Sequence, residues 1–80
     1  MYGPLAISYL YLAKIYNHEK DQRKEKDNLT TALLIEPDNE EVLLMLIRLA
    51  LEKSNYSKVE DLSKTFVKVC EKLCNENDSI

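Results

Sequence analysis

Eighty residues with 45% hydrophobic and 31% charged side chains have the composition of one small folded domain. A formal net charge of −3 supplies no basic face, which argues against nucleic acid or an anionic membrane surface as the partner. A chain this short buries only about 60–65% of its unfolded surface, so modest stability is expected.

Glycine occurs once and proline twice, and no β-branched alternation reaches strand length, so the chain reads as all-α. The first helix is expected to open at Pro4, a residue suited to a first helical turn. Leu5, Tyr9, Leu12, Ala13 and Tyr16 then recur at three- and four-residue steps and form its expected inward face. Asn17 to Asp21 is a polar break. A second helix is expected over about 21–35, with Leu29, Ala32, Leu33 and Ile35 inward. Pro37 ends it, because proline lacks an amide hydrogen and disfavours helical geometry at Glu36.

Asp38 or Asn39 can cap the third helix, and Asp38 with Glu41 has capping-box spacing. That helix runs to about Lys53 and is apolar nearly all round, from Val42 through Leu51, so most of its surface must be covered. Ser54-Asn55 makes the next break. The fourth helix is expected from Tyr56 to Leu73, with Val59, Leu62, Phe66, Val69 and Leu73 along one stripe, and Asn75 to Ile80 reads as a disordered polar tail. Short breaks make sequence neighbours antiparallel, giving two helix hairpins; periodicity alone equally allows a closed four-helix bundle.

One ordered set of residues favours stacked hairpins. Tyr9-x-x-Leu12-Ala13-x-x-Tyr16, then Leu29-x-x-Ala32, then Glu36-Pro37, resembles a tetratricopeptide repeat, whose signature spans 34 residues. Moving on by 34 from Tyr9 places Leu43, Leu46, Ile47, Ala50, Val59 and Phe66 in the corresponding register. The resemblance implies a helical domain over residues 1–74, with repeats at about 5–38 and 39–73 and the tail at 75–80. The second copy departs from the pattern at Ile47, where a small residue is expected, at Ser63 in the aromatic place, and at Glu71 in place of the closing proline. In the first, Glu25 occupies a small-residue place.

The resemblance also implies a function. In this family the first helix of each repeat lines a concave groove that holds a segment of another protein. Here the groove residues would be Ile7, Leu10, Lys14 and Asn17 from one repeat, and Glu41, Leu44, Arg48 and Leu51 from the next. Each set lies on one helix face by spacing. Lys14 and Arg48, 34 apart, suit an acidic group beside an apolar anchor. The expectation is a non-enzymatic adaptor or scaffold module whose partner is a protein segment. Lysine, asparagine and arginine are missing from the places used by the subclass that clamps chaperone C-termini, so that ligand is not expected.

The alternative is a structural role, homo-oligomerisation through an apolar edge of the last helix formed by Val67, Cys70, Leu73 and Cys74. Two repeats are few for a stable array, which leaves that edge to a second copy or to neighbouring repeats of a longer chain. Cys70 and Cys74 lie on adjacent turns of one helix, poorly placed for an intrachain disulfide, and a reducing cytoplasm is the default compartment. With His18 far away in a loop, they make no metal site. No phosphate loop, no nucleophile with a histidine partner and no facing carboxylate pair points to catalysis, and no cofactor is expected. No apolar run approaches a membrane span.

Overall fold

The computed structural model describes residues 3–69 of the chain, with side chains from Ala6 onward. Four helices account for them: α1 (Gly3–His18), α2 (Gln22–Ile35), α3 (Glu40–Glu52) and α4 (Tyr56–Val69), and no strand occurs among the described residues. α1 packs on α2, and α3 packs on α4, so the fold is all-α and built from two helix hairpins. The chain divides between Pro37 and Asp38 into two compact units, one hairpin in each. The expected tail at 75–80, and the expected continuation of α4 to Leu73, lie outside the described residues.

In the first unit, α1 presents Ala6, Leu10 and Ala13 to the interior, and α2 presents Glu25, Leu29 and Ala32. Three of these six are alanines, and small side chains let two helix axes approach closely. The one buried charged residue, Glu25, is tied to α1: Asn17 Nδ2 donates to Glu25 Oε2 at 3.1 Å. Lys24 Nζ also sits over the Tyr16 ring, 5.5 Å from its centroid, adding a cation–π contact between the same helices.

The inward face of α1 differs from the expected one. Leu12 was expected inside and is 40% exposed, whereas Leu10, expected on a ligand-facing stripe, is buried. The cause is rotational. Ala6, Leu10, Ala13 and Asn17 follow one another at four-, three- and four-residue steps, so they share one face. That face, rather than the one through Leu12, carries the bond from Asn17 to Glu25 of α2.

In the second unit, α3 is buried on most sides, as its all-round apolar sequence requires: Val42, Leu43, Leu44, Leu46, Ile47, Leu49 and Ala50 are buried. α4 is amphipathic and contributes Leu62 and Phe66. Asn39, not Asp38, caps α3, its side chain accepting from the Val42 amide at 3.0 Å. Pro37 stops α2 as expected, with the Glu36 amide still donating to Ala32 O at 2.9 Å.

The two units repeat each other in their turns. At the end of α1 the Asp21 amide reaches back to Tyr16 O at 2.9 Å and the Lys20 amide to Asn17 O at 3.1 Å, with Lys20 at φ 63°. At the end of α3 the Asn55 amide reaches Ala50 O at 2.9 Å and the Ser54 amide reaches Leu51 O at 3.0 Å, with Ser54 at φ 57°. This pair of bonds around one left-handed residue is a Schellman motif. The residue that closes each motif then caps the following helix: Asp21 Oδ1 accepts from the Lys24 amide at 3.2 Å, and Asn55 Oδ1 from the Lys58 amide at 3.3 Å. Every corresponding pair in this set is 34 residues apart.

Candidate functional site

The eight residues expected to line a groove divide by exposure. In α1, Ile7 and Lys14 stand on the surface, Leu10 is buried, and Asn17 is exposed while its amide is engaged by Glu25. In α3, Arg48 is exposed, Glu41 and Leu51 are half-buried, and Leu44 is buried. Leu10 and Leu44 are therefore buried and offer little side-chain surface to a ligand. The reason is the one that turned α1: the face adjoining Lys14 on the Leu10 side is the face used for packing. Lys14 and Arg48 occupy equivalent places in the 34-residue period, and both remain on the surface.

Of the apolar edge expected on the last helix, Val67 is exposed, while Cys70, Leu73 and Cys74 lie outside the described residues. His18, expected in a loop, is instead the last residue of α1, and it is exposed. Among the described residues no group of three or more His, Cys, Asp or Glu side chains is gathered to hold a metal ion. No buried side-chain polar atom among them lacks a hydrogen-bond partner. No described helix is long and apolar enough to cross a membrane.

Sequence reasoning named Ile7 but missed the rest of an exposed apolar face on α1. Ile7, Tyr11 and Ile15 lie at successive four-residue steps on α1, with Leu12 beside them, and all four are exposed. The signal was present, since i, i+4, i+8 spacing marks one helix face. It was hidden because α1 is apolar on two sides, and a resemblance that assigns Leu12 to the core leaves Tyr11 and Ile15 with no role. The matching places in α3 are less exposed: Glu41 and Met45, the counterparts of Ile7 and Tyr11, are half-buried, and Leu46 and Leu49, the counterparts of Leu12 and Ile15, are buried.

No protein-family model, no curated protein and no solved structure matches this chain.

Proposed function

We propose that the chain is a non-enzymatic protein-interaction module of tetratricopeptide-like construction, which binds a segment of another protein through the first helices of its two hairpins. The observation that carries this reading is the 34-residue period of the turns. The same Schellman closure, left-handed residue and N-cap occur at Asn17 to Lys24 and again at Leu51 to Lys58. A period of 34 with two helices per unit is the signature of tetratricopeptide repeats, whose usual work is recognition of protein segments.

The residues offered to the partner are those of the expected stripes that keep surface: Ile7 and Lys14 on α1, Arg48 and Leu51 on α3. Two cations at equivalent places favour a segment with acidic side chains, and Ile7 and Leu51 favour apolar side chains beside them. Affinity in such a mode comes mainly from the apolar contacts, with the charges setting orientation and encounter rate.

Selection of a displayed random-peptide library on the immobilised chain tests this. Enrichment of peptides pairing Asp or Glu with Leu or Phe is the expected result. The double variant Lys14→Glu/Arg48→Glu should lose the selected peptides while its circular dichroism is unchanged. Peptides that bind the double variant as well as the parent chain would overturn the assignment of these two residues.

A further inference from the structure

α1 carries an exposed face of which the partner reading uses only Ile7. Ile7 is 61% exposed, Tyr11 65%, Leu12 40% and Ile15 38%, an apolar face just over two helical turns long. It lies on the side of α1 away from Ala6, Leu10 and Ala13, which face α2. Exposed apolar faces of this extent on a small chain mark interaction sites. The corresponding positions of α3 carry Glu41 and Met45, which are half-buried, and Leu46 and Leu49, which are buried. In one period of the chain, then, this face is largely covered, and in the other it is exposed.

We propose that the open face of α1 binds the same face of a second copy of the chain, with the two α1 helices antiparallel about a twofold axis at Tyr11. The first argument is spacing. A twofold interface must be self-complementary, since the same patch serves both sides. Ile7 and Ile15 lie equally far on either side of Tyr11, so an antiparallel partner sets Ile7 against Ile15 of the second copy and Tyr11 against its own counterpart. Residues four apart form a continuous ridge, the surface used in the commonest class of helix packing.

The second argument is charge. Lys14 is the one Lys, Arg, Asp or Glu in the whole of α1. In the twofold register it lies opposite Ser8 of the second copy and not opposite itself, so no like charges are brought together. A strongly acidic or basic partner would find a single lysine to answer it. The face is built to meet another uncharged apolar face, and its own copy is one in register.

The third argument sets the strength. The exposed parts of these four side chains amount to on the order of 400 Å² per copy, about half the ~800 Å² per partner of a standard interface. The dimer is therefore weak and forms at high protein concentration. Ile7 also belongs to the surface proposed for a partner segment, so dimerisation and segment binding compete there. The inference rests on α1 alone and does not require the partner reading to hold.

Two measurements on the full chain test it. Sedimentation equilibrium over a concentration series should show a monomer–dimer equilibrium for the parent chain, and a monomer throughout for Tyr11→Glu with unchanged circular dichroism. Independently, in a Cys70→Ser/Cys74→Ser background, Tyr11→Cys should oxidise to a covalent dimer. Helix axes about 8–10 Å apart, with each Cα about 2.3 Å from its axis, leave the two Cα atoms within disulfide reach at the crossing point. Lys26→Cys, on the exposed side of α2, serves as the control and should oxidise far more slowly. A parent chain that is monomeric at its highest soluble concentration would overturn the proposal. So would a dimer that survives Tyr11→Glu, open-ended oligomers in place of a dimer, or Tyr11→Cys cross-linking no faster than Lys26→Cys.

Discussion

The two hairpins share their turns and differ in their interiors. Between α1 and α2 the buried set is rich in alanine, with Ala6, Ala13 and Ala32 beside Leu10 and Leu29, and it includes the carboxylate of Glu25 held by Asn17. In the second unit the buried set is Val42, Leu43, Leu44, Leu46, Ile47, Leu49, Ala50, Leu62 and Phe66, wholly apolar and, but for Ala50, large. The same backbone closure therefore supports two different solutions to helix packing: close approach fixed by a polar tie, and bulk apolar filling. Turn geometry sets which helices meet, while side-chain volume decides how they meet.

The largest expected effect comes from exchanging the residue at the matching place, Ala13 in one interior and Ile47 in the other, both fully buried. Ile47→Ala should cost about 2–5 kcal/mol through lost burial and the cavity left behind. Ala13→Ile should cost about 1–3 kcal/mol by forcing α1 and α2 apart. Urea titration followed by circular dichroism reads both. A neutral Ala13→Ile would break the comparison, because it would mean the first interior has room to spare.

Next in size is the polar tie. Asn17→Ala removes a hydrogen bond to a buried carboxylate and should cost about 1–3 kcal/mol. The double variant Asn17→Leu/Glu25→Leu should recover part of that loss, since it removes the buried carboxylate together with the amide that bonds it. A double-mutant cycle by thermal melting measures the coupling. Additive losses would show that the two side chains do not act as a pair.

The smallest effect sharpens what the hairpins share. Lys20 and Ser54 hold left-handed backbone at φ 63° and 57°, where a Cβ costs about 1–2 kcal/mol and glycine carries no such penalty. Part of the gain is returned as extra freedom in the unfolded chain. Lys20→Gly and Ser54→Gly should each raise stability by about 0.5–1 kcal/mol, and by equal amounts if the turns are equivalent. Unequal shifts in the urea midpoint would place the difference between the hairpins in their turns as well as their interiors.

Much of the fold was legible in the sequence. Pro37, the Asn39 cap offered beside Asp38, and the apolar periodicity of α3 and α4 place the helices within a few residues of where they occur. These signals are local, and local chemistry decides them. Two things were not legible. The Schellman turns carry lysine and serine at the place where glycine normally advertises a left-handed residue, so composition concealed them. The orientation of α1 was also hidden, because its apolar residues occur on both sides and periodicity gives no preference between them. The face that packs carries Asn17, bonded to Glu25 of α2, with Leu10 buried and Leu12 outside. That contact spans two helices and has no sequence signature. The candidate site suffered for the same reason: Lys14 and Arg48 are on the surface, but two of their expected apolar companions are interior.

The three-residue connections between α1 and α2 and between α3 and α4 bear on kinetics as well as architecture. Each helix packs against the one that follows it, so these contacts close only short loops, whose entropy cost is small. Proteins dominated by such near-neighbour contacts fold on the microsecond-to-millisecond scale. Each Schellman turn halts one helix and caps the next, so a growing chain reverses direction as soon as Asp21 or Asn55 is in place. Either hairpin can thus serve as the nucleus, and a variant that slows one leaves the chain a second point from which to begin.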